Sequence, residues 1–119
     1  PEMLKLCQDL RTDLVKSLGF SERLHEIHHV HKVDQPSGTA IILAKNLSSE
    51  LEITSERKGD FIGVHSYTVS NEFEEITISH VAKQRDLFAK GALNWSQFLI
   101  HQKPGNYSTF TTTINFDKY

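Results

Sequence analysis

The pentapeptide Asp34-Gln35-Pro36-Ser37-Gly38 is the strongest constraint on how this chain can fold. Proline lacks a backbone donor and biases its predecessor toward extended conformations, so a helix arriving from the N-terminal side stops there. The residues around it have loop chemistry, and Ser37 is placed to cap a helix that starts just after it. Upstream, Ile27, His29, His31 and Val33 share one parity while Leu24, His28 and Val30 share the other, which predicts a strand over 21–33. Downstream, Ile41, Ile42, Leu43, Ala44 and Leu47 predict a helix running toward Leu51. A strand, a tight loop and a capped helix therefore meet near Ser37.

The remaining segments complete a small domain. Met3, Leu4, Leu6, Cys7, Leu10, Leu14, Val15 and Leu18 recur at helical spacing, and Gly19 provides the stop. The polar stretch 54–60 reads as a connector. Extended runs over 61–69 and around Ile76, Ile78 and His80 flank Ser70-Asn71-Glu72, which predicts a β-hairpin. Leu87, Phe88, Leu93, Trp95, Phe98, Leu99 and Ile100 predict a third helix that ends before Pro104-Gly105. The Thr-rich tail, Thr109 and 111–114, has β propensity but could equally be irregular. The order α, β, α, β, β, α predicts an α+β fold in which helices pack against one small mixed sheet. With 119 residues and 38% apolar side chains, a single domain over 1–119 is expected.

Composition excludes several functions. The formal charge is −2, so the chain has no general cationic field for nucleic acid or an anionic membrane surface, and neither partner is expected. Its apolar runs are far shorter than the roughly 20 residues that span a bilayer. One cysteine, Cys7, can form neither an internal disulfide nor a Cys-rich zinc site, which points to a reducing, cytoplasmic setting.

The chemistry concentrates in one segment, where four of seven histidines, His25, His28, His29 and His31, fall close together. At Ser37-Gly38-Thr39 the free N–H groups of a helix start would attract an anion, and Gly38 allows close approach. Lys32 can add a full positive charge from the loop. His28 and His29, at the strand end, can bind a second polar group or deliver a proton. Taken singly, Ser37 is an ordinary cap, Lys32 a solvated cation, and any of His25, His31, His65, His80 and His101 a structural or surface histidine. Taken together, two adjacent histidines, a lysine and a Ser-Gly-Thr helix start describe a site for a small dianion.

The string Glu26-Ile27-His28-His29-Val30-His31-Lys32-Val33-Asp34-Gln35-Pro36-Ser37-Gly38-Thr39-Ala40 resembles the signature of the dihydrodipicolinate reductases, E-x-H-H-x-x-K-x-D-A-P-S-G-T-A. Gln35 is its one departure. Gly63-x-His65, the segment 74–80 and Arg85-x-x-Phe88-Ala89-x-Gly91-Ala92 extend the resemblance over most of the chain, whereas 111–116 departs from the family's ending. The resemblance implies the C-terminal, substrate-binding and oligomerisation domain of a two-domain reductase, with a homotetramer as its assembly. It implies His28 as general acid, Lys32 as a residue that orients substrate and assists protonation, and His29, Ser37, Gly38 and Thr39 as holders of the substrate's carboxylates. The implied reaction is hydride transfer from NADPH or NADH to a cyclic dicarboxylate with loss of water, giving tetrahydrodipicolinate. The glycines do not form G-x-G-x-x-G, so the cofactor is expected to be bound mainly by an N-terminal nucleotide-binding domain, with Pro1 at the cut between domains.

Two other readings compete. One is a non-catalytic module that binds a small dicarboxylate or only oligomerises. The other is zinc: His25-Glu26-Ile27-His28-His29 spells H-E-x-x-H, a pattern that works only where a helix puts both histidines on one face. On a strand they would lie about 13 Å apart, so no metal is expected there. Metal analysis of dialysed protein checks this: substoichiometric zinc is expected, and one zinc per chain that disappears in His25→Ala would reverse the ranking.

Overall fold

A computed structural model describes residues 2–107. The elements are α1 (Glu2–Leu10), continued by a π-helical segment (Arg11–Lys16), then β1 (Ser21–His28), α2 (Gly38–Leu47), β2 (Glu52–Arg57), β3 (Gly63–Ser70), β4 (Glu75–Ala82) and α3 (Asp86–Leu99). The chain forms two compact units, one through Ala82 and one beginning at Lys83. The α+β class with a small mixed sheet is as expected; the tail from residue 108, including 111–116, lies outside the described residues.

In the first unit four strands form one sheet in the order β2-β1-β3-β4. β1 runs parallel to β2, with Leu24 opposite Ile53, Glu26 opposite Ser55 and His28 opposite Arg57. β3 is antiparallel to both β1 and β4. The parallel pair requires a crossover, and α2 provides it. β2 corrects the reading of 54–60 as a connector. Its Glu, Ser, Thr and Arg content hides a strand because β2 is a sheet edge, where polar residues are at home.

β1 ends at His28 and does not reach Val33. His28 accepts at its carbonyl from Lys58 N–H, and then the chain turns, with Lys32 N–H bonded to the His29 carbonyl. α2 likewise stops at Leu47, short of Leu51. Ser37 caps its start by accepting from Ala40 N–H, and the buried Ala40, Leu43, Ala44 and Leu47 form one stripe at i, i+3, i+4 and i+7. The Gln35–Pro36 peptide that precedes the cap is cis.

The core joins Leu4 and Cys7 of α1, Phe20, Leu24 of β1, the α2 stripe, Leu51, and Tyr67 and Val69 of β3. Gly19 ends the first helix at φ +75°, a conformation that other residues adopt with strain. In the second unit Phe98 packs edge-on against Trp95 and Tyr107, with ring centroids 5.6 and 5.8 Å away.

One polar network crosses this core. Tyr67, with no exposed surface, donates to Glu22 Oε2 at 2.5 Å, and Arg11 Nε in the π segment donates to the same carboxylate at 3.0 and 3.2 Å. Burial and then the Glu22 anion push the Tyr67 hydroxyl well above the usual tyrosine range. Above pH 10, therefore, the unfolded chain sheds a proton that the folded one keeps, and stability falls as pH rises. Tyr67→Phe should cost about 1.5 to 3 kcal/mol near neutral pH but lose less than the parent between pH 8 and 11. Urea denaturation at both pH values tests it; equal losses would show that Tyr67 titrates normally.

Candidate functional site

One face of the sheet carries Glu22, Leu24, Glu26 and His28 along β1, Ile53, Ser55 and Arg57 along β2, and Val69, Tyr67 and His65 along β3. Its middle is apolar and covered. Toward the C-terminal end of β1 it becomes polar, and there the N-terminus of α2 arrives with Ser37.

Glu26 has no exposed surface, yet its surroundings favour the ionised form. Burial alone pushes its carboxyl up. Hydrogen bonds from Ser55, Arg57 and His28 and the Arg57 charge outweigh that effect, and the net shift is downward. Arg57 Nη1 lies 2.9 Å from Oε1 and 3.0 Å from Oε2. Oε2 of Glu26 is also hydrogen-bonded to His28 Nδ1. Arg57 also reaches the connecting loop: Nη2 donates to the Asp34 carbonyl at 2.6 Å and Nε to the Lys32 carbonyl at 3.3 Å.

His28 is buried, its ring edge-on to His65 at 5.3 Å. Its Nε2 lies against Gly63, where a β-carbon would come within 3.1 Å. His65 Nε2 is 3.0 Å from Ser37 Oγ, the atom that caps α2. Glu26, His28 and His65 bring potential ligand atoms within 4.8 Å of one another. Arg57 pairs with that carboxylate, His28 Nδ1 bonds to it and His65 Nε2 bonds to Ser37, so hydrogen bonds and an ion pair link these groups.

Beside this buried group lies a more open one. Lys32 Nζ pairs with Asp34 Oδ1 at 3.0 Å, and the Asp34 carboxyl is held below its usual range mainly by Lys32, with the Gly38 N–H contributing. The chain's own carboxylate thus sits between Lys32 and the start of α2. Gly38 and Thr39 are exposed there, while Ser37 is buried.

The model of the family described as "Dihydrodipicolinate reductase, C-terminus" matches residues 3–112. The chain belongs to this dihydrodipicolinate reductase family. It is 48% identical over 83 residues to the 4-hydroxy-tetrahydrodipicolinate reductase of Thermosipho africanus, covering 70% of this chain and 38% of the relative. With the enzyme of that name from Methanopyrus kandleri it shares 37% over 111 residues, 76% of this chain and 40% of the relative. The chain thus spans about two-fifths of the length of these curated relatives. A solved structure, dipicolinate-bound dihydrodipicolinate reductase from Paenisporosarcina sp. TG-14, superposes with a TM-score of 0.63 at 20% identity. That match covers 77% of this chain and 42% of the other, and it shows the shared fold.

Of the residues singled out in the family signature, the structure brings His28, Lys32, Ser37, Gly38 and Thr39 to one end of the β1–α2 unit. His29 is half-buried in the turn after β1, its ring 6.4 Å from that of His31. The helix that H-E-x-x-H needs is replaced by a strand. His25 points to the opposite face from Glu26 and His28 and bonds to Thr54 and Glu56 of β2. Sequence reasoning gave no role to Glu26, Arg57, Asp34 or Gly63. Glu26 stood inside the signature; Arg57 was concealed in the supposed connector.

His65 titrates far from its ordinary range. Burial first, then the nearby His28, His80 and Lys32, push it down to about 4, while Glu26 opposes them. Between pH 6.5 and 4 the unfolded chain binds a proton that the folded chain refuses, so stability falls as pH drops through this window, by up to about 3 kcal/mol. Urea midpoints at pH 7 and 5 should therefore fall further in the parent than in His65→Gln. Parallel losses would mean that His65 is not held neutral.

Proposed function

We propose that this chain is the substrate-binding and catalytic half of a 4-hydroxy-tetrahydrodipicolinate reductase, in which His28 is the general acid and Lys32 receives a substrate carboxylate. The observation that carries the reading is the pairing of His28 Nδ1 with a buried, ionised carboxylate, beside a lysine and an open helix start. With Nδ1 committed, Nε2 is the nitrogen from which a proton can leave. A cyclic dicarboxylate suits the cationic end of the site, in line with the dipicolinate held by the Paenisporosarcina reductase.

The roles divide by exposure. Lys32 is half-buried, Gly38 and Thr39 are exposed, and a ligand carboxylate would take the place now held by Asp34. His29, in the adjoining turn, would hold the second carboxylate. Ser37 can serve only conditionally. Its oxygen already accepts from Ala40 N–H, so its hydrogen is free for a ligand only when His65 donates from Nε2.

The hydride would come from NADPH or NADH. The described residues do not fit such a cofactor: the β1–α2 connection with the first turn of α2 holds one glycine, Gly38, and the Ser37 hydroxyl is folded back onto Ala40. We therefore place the cofactor on a nucleotide-binding domain outside this chain, and the protein in the cytoplasm. Among the described residues no helix is long and apolar enough to cross a membrane. Ile76 and Val81 on β4, and Leu87, Phe88 and Leu93 on α3, are exposed, which supports assembly into a homo-oligomer, a tetramer in our reading.

Calorimetric titration with dipicolinate tests the site. Lys32→Ala should weaken binding by about tenfold to over a hundredfold, the loss of one charge-assisted hydrogen bond; unchanged affinity would exclude Lys32. His28→Gln should bind dipicolinate nearly as well as the parent and, in the reductase that carries this chain, lower kcat about a hundredfold. Near-normal turnover would take the acid role from His28, and turnover undetectable in the parent itself would favour a binding module.

A further inference from the structure

We propose that Glu26 and Arg57 form a positioning pair: the carboxylate fixes His28 as the Nδ1–H tautomer with Nε2 left for the ligand, and the guanidinium ties that carboxylate to the loop of Lys32. The inference rests on the reading of His28 as the proton donor and goes further, because neither Glu26 nor Arg57 belongs to the ligand-contacting set.

An ionised carboxylate can only accept, so the hydrogen in the Glu26–His28 bond belongs to Nδ1. The alternative, a protonated Glu26 donating to a bare Nδ1, is opposed by Arg57, whose Nη1 stands within 3.0 Å of both carboxylate oxygens. Proton gain and loss by His28 is thereby confined to Nε2. On that side stands Gly63, and any larger residue would put a β-carbon 3.1 Å from the nitrogen. A glycine there spares Nε2 that crowding.

Arg57 extends the control to the second functional group. One planar cation spans the Glu26 carboxylate, the Glu56 carbonyl and the carbonyls of Lys32 and Asp34, at 2.6 to 3.3 Å. The backbone that carries Lys32 is thus referenced to the same carboxylate that orients His28. A lysine at position 57 could not reproduce this, because its donors radiate from a single nitrogen. In a merely structural role the pair would neutralise a buried charge and nothing else would depend on it.

Long-range proton–nitrogen NMR of the 15N-histidine-labelled chain, at a pH where His28 is neutral, reads the tautomer directly. The expected spectrum shows Nδ1 protonated and Nε2 bare, the reverse of the preference of free imidazole side chains in water. A His28 that is mainly Nε2–H in the parent overturns the Glu26 half without any variant being made. In Glu26→Ala the population should move toward Nε2–H; an unmoved tautomer would likewise count against it. For the other half, Arg57→Lys should keep its far-UV circular dichroism and lose dipicolinate affinity at least tenfold. A fold retained with unchanged affinity leaves Arg57 structural only and defeats the proposal. The tautomer measurement involves no ligand, so it separates from the site reading itself, which fails if Lys32→Ala binds dipicolinate as well as the parent.

Discussion

A carboxylate with no exposed surface organises this domain. An unpaired anion at Glu26 would cost more than a fold of this size can spare, so its position demands a cation and several donors close by. Arg57 is that cation, and it arrives because β2 lies parallel to β1 in the register that sets Ser55 opposite Glu26 and Arg57 opposite His28. Parallel pairing requires a crossover element, and the crossover is α2. The helix start at Ser37 therefore lands at the end of the sheet where His28 lies. Ion pair, strand register and helix position are three aspects of one arrangement.

The sheet face has two charged ends with different consequences. At one end Glu22 is closed in by Tyr67 and Arg11 and holds the π-helical segment to β1 and β3. At the other, Glu26 and Arg57 are closed in as well, but they pass their order outward to His28 and to the loop of Lys32. Buried ion pairs stabilise weakly, since desolvation offsets most of the attraction. What they do well is hold one geometry, and a site with the roles proposed here, a proton donor beside a carboxylate receptor, needs that more than it needs stability.

The local pattern of residues reported a good deal of this. Alternation gave the strand through His28, the Ser37 cap and the i, i+3, i+4 stripe gave α2, and the hairpin and third helix followed from turn residues and periodicity. The adjacency of His28, His29, Lys32 and Ser37-Gly38-Thr39 marked the segment proposed as the site. β2 escaped because periodicity detects burial, and an edge strand with Glu52, Thr54 and Glu56 turned outward buries too little to be seen. Val33 was drawn into β1 for the converse reason: alternation continued in the residues after the hydrogen bonding had stopped at His28.

By itself, then, the chain's order of residues determined which segment carries the candidate site, since the signature residues are neighbours along it and their capping and charge act over a few positions. Which partners those residues keep was decided only in three dimensions. Arg57 is 31 residues from Glu26 and His65 is 28 from Ser37, and each meets its partner through strand pairing and packing. Local propensity carries no information about such pairs, because the free energy that brings them together is that of closing a sheet and burying a core.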